Sequence, residues 1–396
     1  MTFDGLIPLA QYSAPKLPTE DRLRAWSMRI KAMFLSRMGD TVISSERLET
    51  PTLRRLDEAA EPPACGPLIE DIERATADWL AADPPNPAAL AIVMPPTDEN
   101  DVLGSWAREA GYRVLDPPET RGAFCDRQTM ASATQEPCPL LAIPRLERWF
   151  LRSETGLEGL RELFRHLENY PGRVLIGCNS FAWAFLSKAL NLNLLIHEPL
   201  IFKPFDAERL ERWLGGLAED EAGRSVDFRI AETGESLLDE GDGGPESSDF
   251  FVRLAGRSRG IPWIAWHMWR NSLRLAETDA KPQADAVEPE ADDAKPPVSG
   301  RLDRTTFWVA ALDELVLPGD YPRDLLFALH ALALHGAMRR EDLAKVMPSG
   351  LDPQIVGALV NSRFVRRADN RLTLEPETYP AIYDGLRTAG FPVGQI

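Results

Sequence analysis

Residues 95–101 read Pro-Pro-Thr-Asp-Glu-Asn-Asp and follow the apolar run AALAIVM at 88–94. A loop that holds a nucleotide triphosphate sits after such a run and reads G-x-x-x-x-G-K-[ST]. Its glycines let backbone N–H groups surround the phosphates, its lysine reaches the terminal ones, and its hydroxyl binds magnesium. Here Thr97 and Asp98 occupy that stretch, with no glycine, no lysine and no hydroxyl in the magnesium position. Pro95 and Pro96 remove two N–H donors, and Asp98, Glu99 and Asp101 would repel a triphosphate. A helix N-terminus is a natural anion site, but carboxylates already crowd this one. No G-K-S or G-K-T tripeptide occurs anywhere in the chain.

A second apolar run, 140–143, gives the same answer. In an active phosphoryl-transfer site an acidic pair at the end of such a strand holds magnesium and polarises water. This run continues into Pro144-Arg145-Leu146-Glu147-Arg148. Glu147 is the only nearby acid and lies several residues on. It reads as a solvated helix-start position beside Arg145 and Arg148, with a salvaged catalytic role as the alternative. The five histidines lie in separate elements without paired-ligand spacing, and His197-Glu198 is not H-E-x-x-H because Ile201 stands where the second histidine would. Cys65, Cys125, Cys138 and Cys178 are scattered, giving neither zinc-site spacing nor a disulfide framework. No serine has a nucleophile-elbow context. No metal and no cofactor are expected.

The elements that position these residues alternate. Strands are predicted at 88–94, 112–115, 140–143, 173–176 and 194–196, with helices at 102–110, 157–169 and 181–190 between them. That alternation predicts an α/β fold with a mainly parallel sheet covered on both faces. Ahead of it, 19–38 predicts an amphipathic helix with a basic outer face, and 69–80 a second helix. Beyond it, 238–249 reads as a loop and 250–275 as a helical segment holding Trp263, Trp266 and Trp269, whose spacing fits packing better than a ligand site. The net charge is −17, yet residues 218–250 and 276–300 together hold 18 acids against four basic side chains. The rest of the chain is therefore nearly neutral, so acidity alone does not exclude nucleic acid. The stretch 276–300 has too few large apolar side chains to fold and reads as a disordered acidic linker.

Taken in order, these motifs resemble the AAA+ family of P-loop ATPases. Asn179, after the fourth strand, stands where that family places a polar sensor residue. Residues 199–210 (PLIFKPFDAERL) resemble the entry to its lid, and 254–263 (LAGRSRGIPW) resemble the start of the lid's last helix. The resemblance makes Arg259 or Arg270 the remnant of the arginine that completes the nucleotide site. It is nearest to the initiator-like and signal-transduction members, which carry a winged helix after the lid. It implies a P-loop-NTPase-like α/β domain with a helical lid.

The carboxy-terminal unit fits that expectation. Helices are predicted at 321–335, closed by Gly336, at 339–347 and at 352–364, the last with Ile355, Val356, Leu359 and Val360 facing the core. A hairpin about Asp369-Asn370 follows. This is the winged-helix order. Arg363, Arg366, Arg367 and Arg371 form a modest positive patch for DNA or a protein partner, but residues 301–396 hold 11 basic and 12 acidic side chains, a weak footprint for DNA. The expected division is an N-terminal helical extension over 1–87, an α/β domain over 88–217, a lid region over 218–275, the linker 276–300 and a winged helix over 301–396. The expected function is a non-catalytic AAA+-like scaffold or regulatory protein. A DNA-associated adaptor of the initiator or transposition type is the runner-up, and an ATPase with an atypical phosphate loop a weaker third. With no signal-peptide pattern and no run long enough to cross a bilayer, a cytoplasmic location is expected; oligomeric state is not legible.

Overall fold

The structure is a computed structural model describing residues 5–17, 48–51, 66–83, 87–118, 138–192, 198–217, 226–238, 245–276, 306–313 and 321–396, with residues 56, 85, 121, 196 and 315–317. The expected helix at 19–38 and linker at 276–300 lie outside these residues, except that residue 276 closes a strand.

The chain begins with strands β1 (Leu6–Pro8) and β2 (Leu48–Glu49) and helix α1 (Gly66–Ala81). Then come β3 (Ala89–Met94), α2 (Val102–Glu109), β4 (Arg113–Val114), β5 (Leu140–Ile143), α3 (Glu158–Leu167), β6 (Arg173–Asn179), α4 (Ser180–Ala189) and β7 (Leu200–Phe202). The middle of the chain holds α5 (Ala207–Leu217), β8 (Asp227–Ile230), α6 (Pro245–Arg257), α7 (Pro262–Ser272), β9 (Leu273–Ala276) and β10 (Thr306–Val309). The last stretch holds α8 (Arg323–His335), β11 (Met338–Arg339), α9 (Arg340–Val346), α10 (Pro353–Asn361), β12 (Val365–Ala368), β13 (Arg371–Leu374) and α11 (Tyr379–Thr388). Two compact units result: Met1–Ala14, Ala64–Pro204 and Leu315–Ile396 form the first, Pro15–Pro63 and Phe205–Glu314 the second.

The first unit is built on a six-stranded sheet of order β1-β7-β3-β6-β5-β4. The pairings among β7, β3, β6, β5 and β4 are all parallel, as the alternation of strands and helices requires, and only β1 runs antiparallel, along β7. β3 and β6 are buried almost throughout, which is why both read as continuous apolar runs rather than alternating ones. From β3 the chain crosses past β6 and β5 to β4, returns through β5 to β6, then crosses β3 to reach β7. The direction of winding reverses between β3 and β6. In open α/β sheets the crevice for ligands lies there, outside the carboxyl ends of the strands. The fifth parallel strand is Leu200–Phe202; of the strand expected at 194–196 only Ile196 lies among the described residues, and it is buried without regular structure. The run at 200–202, which resembles a lid entry in sequence, instead pairs with β3 at Leu200 and with β1 along its length.

The carboxy-terminal helices and hairpin belong to this same unit. α8 ends at Gly336, whose φ of +68° releases the chain from the helix. Asp369 and Asn370, both at positive φ, join β12 to β13 across the Ala368↔Arg371 pair, the two-residue turn that the sequence predicts. β11 adds a third strand, in the order β11-β13-β12. α10 departs from expectation. Only Leu359 is fully buried; Ile355 and Val356 are half-buried and Val360 is exposed.

The second unit holds a four-stranded sheet of order β2-β9-β10-β8. Strands thus accompany the helices of the region expected to be a helical lid, and residues 306–309 pair with β8 and β9 in this unit. These strands are two to four residues long and pair across wide sequence separations, so no local periodicity announces them. The expected loop at 238–249 likewise gives way to a helix from Pro245. Trp263, Trp266 and Trp269 are buried, and Trp269 packs on Phe228 with ring centroids 5.2 Å apart. The stripe is core.

Candidate functional site

The loop after β3 is closed by its own acids. Asp98 accepts N–H bonds from Asn100 (3.1 Å) and Val102 (3.2 Å), so its carboxylate caps the start of α2 where an anion would otherwise bind. Thr97 and Asp101 adopt left-handed φ values of +68° and +50°, a costly region for a β-branched residue such as Thr97. Arg145, arriving from the end of β5, reaches across the crevice. Its Nε pairs with Asp101 Oδ1 at 3.0 Å and its Nη2 donates to the Asp98 carbonyl at 2.9 Å. A guanidinium thus stands over the loop after β3. Burial works against the Arg145 charge, but Asp98, Glu147 and Asp101 outweigh it and raise its pKa. Burial raises the Asp98 pKa despite the pull of Arg145.

Glu147 is not solvated. It is 7% exposed, and its Oε2 accepts the Asn179 N–H at 3.2 Å. Burial raises its pKa, opposed by Arg145 and Arg148. The sequence reading failed because the strand β6, 32 residues on, folds over it; nothing local to 144–148 signals that cover. Burial also lowers the pKa of Arg148, and Arg145 adds to the effect.

Asn179 is wholly committed to the fold. Its Oδ1 accepts from Ala182 N at 2.8 Å, capping α4. Its Nδ2 donates to the carbonyls of Ala333 (3.2 Å) and Leu334 (3.0 Å) at the end of α8. A helix leaves its last four carbonyls without intrahelical donors, and here each finds a partner. Leu332 accepts from Gly336 N (2.8 Å), Ala333 and Leu334 accept from Asn179, and His335 accepts from Arg121 Nη2 (2.7 Å). Arg121 is 5% exposed and also donates to the carbonyls of Glu147, Phe150 and Ala337. Burial lowers its pKa to about 10. Its place at the negative end of the α8 dipole favours the charge it keeps.

Two histidines complete the closure. Arg152 donates from its backbone N–H to His335 Nε2 (3.2 Å), and its Nη1 lies 2.9 Å from His330 Nδ1. Arginine only donates, so His330 carries its proton on Nε2 and gives it to the Pro392 carbonyl at 2.8 Å. His335 correspondingly presents Nδ1–H to the Glu147 carbonyl at 3.5 Å. Burial lowers both pKa values, that of His330 to about 4. Arg121, Arg152, His330 and His335 carried no sequence signal, because their partners are distant in the chain.

Of the residues singled out from sequence, the structure brings Asp98, Glu147 and Asn179 to the carboxyl ends of β3, β5 and β6. Arg366, on β12, pairs with Glu99 of the loop after β3. Arg371, on β13, is half-buried. Arg363 and Arg367 are exposed, and Arg367 donates to Asn370 Oδ1 at 3.1 Å. Arg259 and Arg270 belong to the second unit. Arg259 lies at φ +59° in the turn between α6 and α7, and the Arg270 guanidinium sits 5.0 Å above the Trp266 ring.

Fold and site together define a mixed α/β protein with a mostly parallel central sheet, whose switch-point crevice is filled by its own side chains. Among solved structures the chain is similar to a point mutant of RuvB from Thermotoga maritima, at 14% identity and a TM-score of 0.35, over 84% of this chain and 99% of that one. It is also similar to Cdc6p from Pyrobaculum aerophilum, at 11% identity and a TM-score of 0.29, over 84% of this chain and 98% of that one. No family model and no curated protein matches.

Proposed function

We propose that this chain is a non-catalytic AAA+-like scaffold or regulatory protein that acts through protein–protein contacts, with its carboxy-terminal unit a winged helix. The observation that carries the reading is the state of the crevice. Asn179, the sensor position in the resemblance, uses both ends of its amide to cap two helices, and Arg145 neutralises the acids of the loop that would cradle phosphate. Thr97, Asp98, Glu147 and Asn179 are on this reading remnants of a nucleotide site turned to structural use, and Arg259 and Arg270 remnants from the lid. A ligand entering the crevice would have to displace buried, mutually satisfied hydrogen bonds, each costly to leave unmade.

Isothermal titration of the full chain with ATP and magnesium tests this. No heat of binding is expected up to millimolar nucleotide. Saturable binding at micromolar concentration, lost on Arg145→Ala or Asn179→Ala, would overturn it.

A further inference from the structure

The helix that a winged helix would present to DNA is unusual here in three respects. From Pro353 to Asn361 it reads PQIVGALVN, without one charged side chain. It is anchored by Leu359 alone, while Gly357, Ala358 and Val360 are exposed and Ile355 and Val356 half-buried. Pro353, Val356, Gly357 and Val360 therefore form an outward apolar stripe at i, i+3, i+4, i+7 spacing. The third respect is Gly357 itself. A Cβ placed there would meet nothing within 4 Å, and its φ is not among the positive ones. Alanine would fit and would favour the helix. Within the molecule this glycine has no steric reason to be glycine. Glycine on an outward helix face does have one use: it lets another backbone approach closely.

The charge at the rim points to the partner's chemistry. Arg363, two residues past the end of the helix, and Arg367 on β12 are both exposed, Arg367 also donating to Asn370 Oδ1 at 3.1 Å, while the exposed Asp352 is turned to the start of the helix, accepting Gln354 N–H at 2.8 Å. We propose that the outward face of α10 docks an acidic amphipathic helix from a partner protein. That helix lays its apolar side over Val356, Gly357 and Val360 and brings carboxylates to Arg363 and Arg367. The inference rests on the scaffold reading above and supplies the class of partner. DNA is disfavoured because the helix offers no basic group between 353 and 361, and Arg366 already pairs with Glu99.

The test is selection of a displayed library of helical peptides on the immobilised full-length protein, followed by fluorescence anisotropy of the enriched peptides. The expected peptides carry apolar residues at helical spacing with an excess of Asp and Glu. Their affinity should fall about tenfold or more on Gly357→Leu or on Arg363→Glu, with circular dichroism unchanged. Gly357→Ala separates docking from folding: it should raise the thermal midpoint and yet weaken the peptides. Failure to enrich any peptide sensitive to these substitutions would overturn the inference. So would salt-dependent binding of a labelled duplex that Arg363→Glu and Arg367→Glu abolish. Neither result bears on whether nucleotide binds, so the scaffold reading stands or falls separately.

Discussion

Asn179 shows at a single residue how one side chain can tie two helices to a sheet. Its amide donates to Ala333 and Leu334 and accepts from Ala182. Asn179→Ala removes one helix cap, worth about 1 kcal/mol, and leaves two buried carbonyls unsatisfied, each costing about 1–3 kcal/mol. A loss of about 3 kcal/mol or more is expected, read as a shift of the urea midpoint. Asn179→Asp keeps the cap on α4 but points an oxygen at the two carbonyls, so it should be no better than alanine. If either variant unfolded like the parent, Asn179 would be free for another role. Gly177 makes a complementary case. A Cβ there would stand 2.2 Å from the Pro144 carbonyl oxygen and 2.6 Å from Leu103 Cδ2. Overpacking of this kind costs about 1–3 kcal/mol, so Gly177→Ala should lower the thermal midpoint by several degrees. Asn179 and Glu147 both follow apolar runs that the sequence marks as strands. The sequence could not show their partners, because the Asn179 amide bonds to residues 154 and 155 positions away and burial of Glu147 depends on a neighbouring strand.

The elements fall into two groups by how local their cause is. β3, β5 and β6 were legible because a parallel strand buried on both faces is an unbroken apolar run, and α8 because it is apolar up to a glycine stop. β2, β8, β9 and β10 were not, since strands of two to four residues exist only through pairing with remote partners. The end of α8 carries a pH dependence of its own. Burial holds the His330 pKa at about 4, against 6.5 for the free side chain, with the Pro392 carbonyl pulling it up and Arg152 pushing it down. Below pH 6.5 the unfolded chain takes up a proton that the folded one refuses, so stability falls as pH drops from 6.5 towards 4 and levels off below. The full span is at most about 3 kcal/mol, and His335, shifted the same way by burial, adds to it. Glu147 and Asp98 act oppositely, because their raised pKa values make the folded state the better proton acceptor. The urea midpoint at about pH 7 minus that at about pH 5, taken with its sign, should therefore be smaller for His330→Gln than for the parent. An equal or larger difference would show that His330 is not held neutral.

At the scale of the first unit, the carboxy-terminal helices and hairpin are structural parts of the α/β platform. Phe181, at the start of α4, meets the rings of His330, Tyr379 and Tyr383 at centroid distances of 5.9, 6.2 and 6.3 Å. Phe150 packs on His335 at 4.9 Å, Arg121 and Asn179 hold the carbonyls of α8, and Arg366 holds Glu99. The last contact is half-exposed, and such pairs are worth about 0–1 kcal/mol; the buried aromatics and helix-end bonds carry the weight. Removing residues 315–396 would uncover Phe150 and Phe181 and take from Arg121 and Asn179 the carbonyls at the end of α8 to which they donate. A detachable module would come away cleanly. Here the shortened chain is expected to bind a hydrophobic dye and to lose its cooperative thermal transition, because exposed core surface and unsatisfied buried polar groups both favour an expanded state. A truncated chain that kept a sharp transition and bound no dye would show that the platform folds alone. It would also make closure of the crevice a reversible event rather than part of the fold.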